Sequence, residues 1–252
     1  MIVLEAGINH FGKVSEAKKL LGFFLKSDFS HLTFMLHTQN FYRYMKKRID
    51  FLLPRDFYKS AIKLAHLRNK KIGLAVCDIK SFAPIKDLNF DFYKLLGIAI
   101  NNKELIEILK NKKKPIYISL AKGSDKKILK CLKYFGKKDK LNLIYTNMSY
   151  ESKDLDLNRI NYLKKKFKLP VGYGHHYKNS VPIYLSSFFN PSFYFVYIKN
   201  ITKKKRLYPD NLHAFFLDQL KELNERIKDI KIILKKKQVS TKIKLHGKKI
   251  KF

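Results

Sequence analysis

The chain has 252 residues, with 54 Lys and Arg against 20 Asp and Glu, for a formal net charge of +34. That length buries a full core in one domain. No run approaches the roughly 18 apolar residues of a membrane span, and no basic-then-apolar leader opens the chain, so a cytoplasmic protein with no membrane span is expected. Arginine is confined to Arg43, Arg48, Arg55, Arg68, Arg159, Arg206 and Arg226, and the rest of the charge is lysine scattered along the chain. Together with abundant Ile, Asn, Phe and Tyr, this is the residue usage of a strongly AT-biased coding sequence. No nucleic-acid motif accompanies it, so no specific nucleic-acid partner is expected. Cys77 and Cys131 are too few for a disulfide framework or a zinc site and read as reduced, packed thiols.

Taken in order, Ile2 to Ala6 reads as a buried strand, followed by Gly7, a loop and an amphipathic helix from Ser15 to Leu25. Leu32 to Leu36 is a second strand, leading into an aromatic and basic connection around Phe41 to Leu53. Pro54 stands just before a helix reaching Leu67, with Ile62, Leu64 and Ala65 at helical spacing. Ile72 to Val76 and Phe92 to Leu96 are the third and fourth strands. A helix at Lys103 to Leu109 precedes the fifth strand, Pro115 to Ser119, and Asp125 to Phe135 is the next helix. Leu141 to Tyr145 is the sixth strand, Asp156 to Phe167 a helix, Val171 to Tyr173 the seventh strand and Val181 to Phe188 a short helix. Phe193 to Ile198 is the eighth strand, and Asn211 to Ile230 reads as a long last helix that Asp210 caps.

Eight strand-and-helix pairs in this length fit a closed (β/α)8 TIM barrel, a parallel α/β fold. An open doubly wound sheet is the alternative, but no Gly-rich phosphate fingerprint follows the first strand. The barrel takes residues 1–230, and residues 231–252 form a Lys-rich C-terminal tail. Barrel chemistry collects at the carboxyl ends of the strands, which directs attention to Glu5, Asn9, His10, Thr33, Asp78, Lys94, Ser119, Asn147, His176 and Asn200. The stretch LPVGYGHH, Leu169 to His176, is the most informative of these ends. A short apolar strand there hands over to two adjacent histidines, and side-chain alternation turns one of them inward.

The opening VLEAGINHFG with its following AKKL helix resembles the start of the sialic acid synthase (NeuB-like) family, which makes nonulosonic acids from phosphoenolpyruvate and an N-acylated hexose. DFYKLL, KPIYIS, YTNMSY and LPVGYGHH keep the order of the family's fourth to seventh strand motifs, the last in place of its GYSDH. PDN at Pro209 to Asn211 echoes a later PDH. The resemblance spans about residues 1 to 228, and the ordered set is specific although each motif alone is weak. The family adds an antifreeze-like C-terminal domain that this chain stops short of, and its members commonly form homodimers.

The resemblance implies condensation of phosphoenolpyruvate with an N-acylated hexose of the N-acetylmannosamine type. Phosphoenolpyruvate is a small trianion needing a cation and several donors, which the family's pattern puts at Lys94, Ser119 and Asn147. A hydrogen bond to a turn is as good an account of Ser119 and Asn147 on residue type alone. Asn9, His10 and Asp210 join the substrate-binding set, and Glu5 and His176 are the catalytic candidates, acid-base roles being worth about 100- to 10,000-fold in rate. A divalent metal, Mn or Mg, is implied at two histidine positions, of which one survives as His176 and the other is Asn200, so weak metal binding is expected. Other positions depart from the family's pattern. TFM at Thr33 to Met35 replaces its KFQ, Ile198 stands at a glutamate position, Gly174 and His175 replace serine and aspartate, and Leu96 and Gly97 replace small polar residues. Lys46 or Lys47 is a candidate replacement cation. Two accounts follow: a divergent synthase, or a non-catalytic barrel that binds a sugar or an anion or pairs with an active synthase.

Overall fold

The computed structural model describes residues 1–37, 51–121, 123–200 and 207–235, together with the backbone of 242–245 and 248–251. Strands β1 (Ile2–Gly7), β2 (His31–Met35), β3 (Lys71–Val76), β4 (Phe92–Leu95), β5 (Ile116–Ser119), β6 (Leu141–Thr146), β7 (Val171–Gly174) and β8 (Tyr194–Lys199) pair in sequence order, all parallel where registered. β1 pairs with β8 as well, Glu5 opposite Tyr197, so the sheet closes into the expected barrel. Helices α1 (Val14–Lys26), α2 (Arg55–His66), α3 (Ile79–Phe82), α4 (Lys103–Asn111), α5 (Asp125–Phe135), α6 (Arg159–Phe167), α7 (Val181–Leu185) and α8 (Leu220–Ile233) connect the strands or follow the last of them.

Local chemistry sets many of these boundaries. The side chains of Asn102 and Ser124 accept from the backbone N–H groups of Leu105 and Lys127, capping α4 and α5. Gly136, at φ +72, ends α5 in the left-handed region where a Cβ is disfavoured. The short α3 was not anticipated. Asp78, one of the strand-end candidates, caps it by accepting from the Ser81 N–H at 2.8 Å and from its hydroxyl at 2.7 Å.

The core has two levels. The larger apolar layer lies between strands and helices, and a second cluster of Val3, Phe92, Tyr117, Ile144, Phe193 and Phe195 fills the barrel itself. Its rings meet edge-to-face, Tyr117 lying 4.9 Å from Phe193 and 5.2 Å from Phe195. Gly73 and Gly172 make room for two of these rings, because a Cβ at either would run into Phe92 or Phe193.

One sequence expectation fails. No helix begins at Asn211 and Asp210 caps nothing. The chain turns through 209–213, forms strand β9 (Phe215–Phe216) beside β8, passes a single 3-10 turn at Leu217–Gln219, and only then enters α8 at Leu220. Residues 211–217 carry apolar side chains at spacings that suit a helix, but Ile198 and Lys199 offer a strand edge that Phe215 and Phe216 pair with instead. α8 runs on to Ile233, and an antiparallel pair, Lys242–Leu245 with Lys248–Lys251, follows. Cys77 and Cys131 are both buried, and the Cys77 thiol donates to the Leu36 carbonyl at 3.3 Å. Among the described residues no helix is long and apolar enough to cross a membrane.

Candidate functional site at the barrel mouth

Side-chain alternation carries Val3 and Glu5 of β1, Phe92 and Lys94 of β4, and Phe195 and Tyr197 of β8 into the barrel. Above the aromatic floor these strands bring a buried ion pair together: Lys94 Nζ stands 2.5 Å from Glu5 Oε1, the two side chains 3% and 2% exposed. The ammonium also lies 4.9 Å from the Phe195 ring centre and 5.6 Å from that of Tyr197. Glu5 Oε2 has no hydrogen-bond partner. Burial pushes the Glu5 carboxyl above its ordinary pKa, against the pull of Lys94, so a proton is held there more readily than on a surface glutamate.

Asp210 completes the acidic side. Its backbone N–H donates to Asn9 Oδ1 at 3.0 Å, and Asn9 Nδ2 donates to the Ile198 carbonyl at 2.9 Å, so Asn9 ties the loop after β1 to the end of β8 and to the turn after it. Burial, with the Glu5 charge adding to it, raises the Asp210 carboxyl to about 7. Gly7 lets this group approach: its φ is +53, and a Cβ there would lie 2.7 Å from Asp210 Oδ2 and 2.8 Å from the Tyr197 ring. The Tyr197 phenol is raised well above its usual range by burial and by the Glu5 and Asp210 charges.

The histidines close the mouth. His176, partly exposed, stacks on His213 with ring centres 4.3 Å apart and meets the Tyr197 ring edge-on at 5.0 Å. His213 Nδ1 shares a 2.9 Å hydrogen bond with the Tyr150 hydroxyl, and its Nε2 lies 3.7 Å from Asp210 Oδ1. Burial, helped by neighbouring positive charge, lowers His213 to about 4 and His176 well below its ordinary value, so both rings are neutral at physiological pH. His175 turns the other way, packing on Tyr173 and Phe215.

Of the residues singled out in the sequence, Glu5, Lys94, His176 and Asp210 thus form one cluster. Ser119 ends β5, buried, two positions beyond Tyr117 and so on the same strand face. His10 is buried, accepts from the Gly12 N–H at 3.1 Å through Nδ1 and leaves Nε2 without a partner; burial lowers it to about 4. Asn147 is occupied in its own loop, its Oδ1 accepting from the Ser149 N–H at 2.7 Å and its amide donating to the Asp154 carbonyl. Asn200 faces α1, where its amide donates to Glu16 Oε2 at 2.9 Å. Lys46 and Lys47 lie outside the described residues. His213 went unnoticed in the sequence although it sits three residues after Asp210. A histidine in an otherwise apolar stretch beside a candidate carboxylate was the available signal.

The implied metal finds a poor donor set. His176 offers one imidazole, the Asn200 amide is committed to Glu16 with only an orphaned Oδ1 to spare, and the His213 ring lies stacked on His176. Among the described residues no group of three or more His, Cys, Asp or Glu side chains is arranged to hold an ion. These residues do not fit a divalent metal.

The fold and the strand-end cluster define a TIM barrel of the kind that carries its chemistry at the carboxyl ends of its strands. The family model of the NeuB family matches residues 25–239, and the chain belongs to that family. The chain is similar to the uncharacterized protein MJ1065 of Methanocaldococcus jannaschii, 27% identical over 187 residues; the match covers 69% of this chain but only 55% of that protein's length. Among solved structures it resembles an N-acetylneuraminic acid synthetase from Leptospira borgpetersenii, with a TM-score of 0.82 at 18% identity over 95% of this chain and 86% of that one. It also resembles spore coat polysaccharide biosynthesis protein spsE from Bacillus subtilis, with a TM-score of 0.78 at 16% identity, covering 93% and 68% of the two chains. A DAHP synthase from Thermotoga maritima shares the fold more distantly, with a TM-score of 0.74 at 12% identity over 93% and 69%. At these identities the solved structures establish the fold.

Proposed function

We propose that the chain is a divergent, cytoplasmic sialic acid synthase-like enzyme of carbohydrate biosynthesis, which holds phosphoenolpyruvate at Lys94 and joins it to an N-acylated hexose. The observation that carries this reading is the Glu5–Lys94 pair beneath Asp210 at the barrel mouth. A lone ammonium inside a protein is costly, and Glu5 neutralises it while no ligand is present. A multiply charged ligand competes for Lys94, and Glu5 then takes up the proton that its burial already favours.

With the ligand on Lys94, the chemistry asks for one proton donor. The phosphoenolpyruvate methylene carbon forms the new bond to the sugar aldehyde carbon, and the aldehyde oxygen takes the proton held by Asp210, whose carboxyl titrates at about 7. Water then adds to the former enol carbon and returns a proton to the Asp210 carboxylate. The new hydroxyl passes its proton to the phosphate as the carbon–oxygen bond to phosphate breaks, giving a 2-keto acid and hydrogen phosphate. The neutral His213, bonded to Tyr150, lies 3.7 Å from that carboxyl and walls it in without a hydrogen bond to it.

A second reading is a non-catalytic barrel that binds a sugar or an acidic ligand. The commitment of the Asn200 amide to Glu16, and of Asn147 to its own loop, favours it. Calorimetric titration of phosphoenolpyruvate into wild type and Lys94→Ala, followed by a phosphate-release assay with N-acetylmannosamine, separates the two. Binding lost in the variant, with phosphate released by the wild type, supports the synthase. Binding without release supports the second reading. No binding by folded wild type removes Lys94 as the anion site and overturns the synthase, leaving a barrel kept for binding another ligand or for assembly.

A further inference from the structure

A separate cavity of about 370 Å³ lies between the chain leaving β7 and the 211–219 segment. Lys178, Lys199, His175 and His213 line it, and no Asp or Glu does. Lys199, the last residue of β8, is 5% exposed. Its ammonium donates to the Asn211 carbonyl at 2.8 Å and to Asn211 Oδ1 at 3.2 Å, and stands 4.3 Å from the Phe216 ring centre. Two neutral oxygens and an aromatic face satisfy hydrogen bonds, but they leave the charge unbalanced, and no carboxylate among the described residues pairs with it. Burial lowers its pKa accordingly. His175, another lining residue and 1% exposed, buries an Nδ1 that has no hydrogen-bond partner.

A buried cation without a counter-charge and a buried polar atom without a partner each cost folding free energy, and here both border one cavity. We infer that this cavity binds a small organic anion, a carboxylate or a phosphate ester, whose charged group pairs with Lys199 and whose body lies against Phe215 and Phe216. The volume falls near the lower end of the roughly 300–1,000 Å³ typical of small-molecule sites, which fits a ligand about the size of a monosaccharide phosphate. The site is distinct from the barrel mouth and does not depend on what binds at Lys94; His213 is the wall the two share.

Calorimetric titration of inorganic phosphate, and separately of succinate, tests this at about 0.15 M salt, where exposed charges are largely screened. The proteins are wild type, Lys199→Gln, Lys178→Ala, Lys94→Ala and, as an exposed control, Lys127→Ala. Saturable one-site binding of either probe is expected, weakened at least about tenfold in Lys199→Gln. Binding is expected to be unchanged in Lys127→Ala, Lys94→Ala is expected to lose only binding at the barrel mouth and keep the Lys199-dependent component, and the stronger probe tells a phosphate site from a carboxylate site. If Lys199→Gln does not fold, Lys178→Ala carries the test, with about threefold weaker binding expected from loss of an exposed charge. Binding that is equal in wild type and the folded lining-lysine variants, binding lost with Lys94 instead, or no saturable binding of either probe by folded wild type overturns the proposal.

Discussion

Glu5 and Lys94 are almost completely buried, 89 residues apart in sequence, and bonded only where the barrel closes. Removing one member of such a pair strands the other's charge, so Lys94→Met should destabilise the fold by about 3 kcal/mol, whereas Glu5→Leu with Lys94→Met should recover most of that loss. Urea unfolding of the three proteins measures it; equal stability of wild type and Lys94→Met would show the pair to be dispensable. Asp210 gives a pH signature with a definite sign. Its carboxyl moves from an ordinary 3.8 to about 7 on folding, so the folded chain binds the extra proton, and the stability this gives is complete below pH 3.8 and lost as pH rises through about 7. His10 and His213, lowered to about 4, act oppositely: their contribution is present above about pH 6.5 and is lost as pH falls towards 4. Two histidines outweigh one carboxyl between about pH 4 and pH 6.5, so the thermal midpoint of wild type should rise over that range and level off near pH 7, and Asp210→Asn, by removing the opposing proton, should steepen the rise. An equally shallow rise in the variant would assign the opposing proton elsewhere.

Among the elements, those set by local pattern were legible in the sequence and those set by distant partners were not. Apolar runs such as Ile72–Val76 and Leu141–Tyr145 announced strands, and Pro54 and Asp125 marked helix starts within a residue of where they occur. β9 was hidden because two residues become a strand only beside Ile198 and Lys199. The same limit applied at the site. Strand ends flagged Glu5, Lys94 and His176, but no spacing rule says that Asn9 holds Asp210, that Asn200 answers to Glu16, or that His213 stacks on His176. Glycines were equally silent about their reasons. Gly172 faces the Phe193 ring inside the barrel, and Gly22 of α1 has nothing within 4 Å of where a Cβ would stand. Gly172→Ala should thus cost about 1–3 kcal/mol or more through overpacking, while Gly22→Ala should stabilise α1 by roughly 1 kcal/mol. Paired thermal melts decide it, and a Gly172→Ala midpoint at or above that of wild type would mean that the ring at Phe193 gives way.

At the scale of the whole molecule the charge of +34 governs behaviour that no single contact does. Acidic residues are heavily subscribed: Asp125 alone accepts from Arg159, Tyr162 and Lys166, which hold its carboxyl at about 2. Among the described residues, lysines such as Lys18, Lys59, Lys63, Lys126 and Lys127 lie exposed on helices, where they repel one another across the surface. Two effects then compete as salt is added. Screening weakens exposed pairs such as Arg55–Asp87 and Arg226–Glu222, which contribute little at the surface, and it also weakens the mutual repulsion of the excess positive charge. With 34 more basic than acidic side chains the repulsion is the larger sum, so the thermal midpoint should rise as the Debye length shrinks from about 30 Å at 0.01 M to about 10 Å at 0.1 M salt. Binding to a polyanion such as heparin should fall steeply over the same range, since scattered lysines act only through counterion release. A midpoint that instead drops with salt would mean that the exposed ion pairs outweigh the repulsion. Heparin binding that survives the higher salt would point to an organised anion surface and not to a charge spread thinly over the helices.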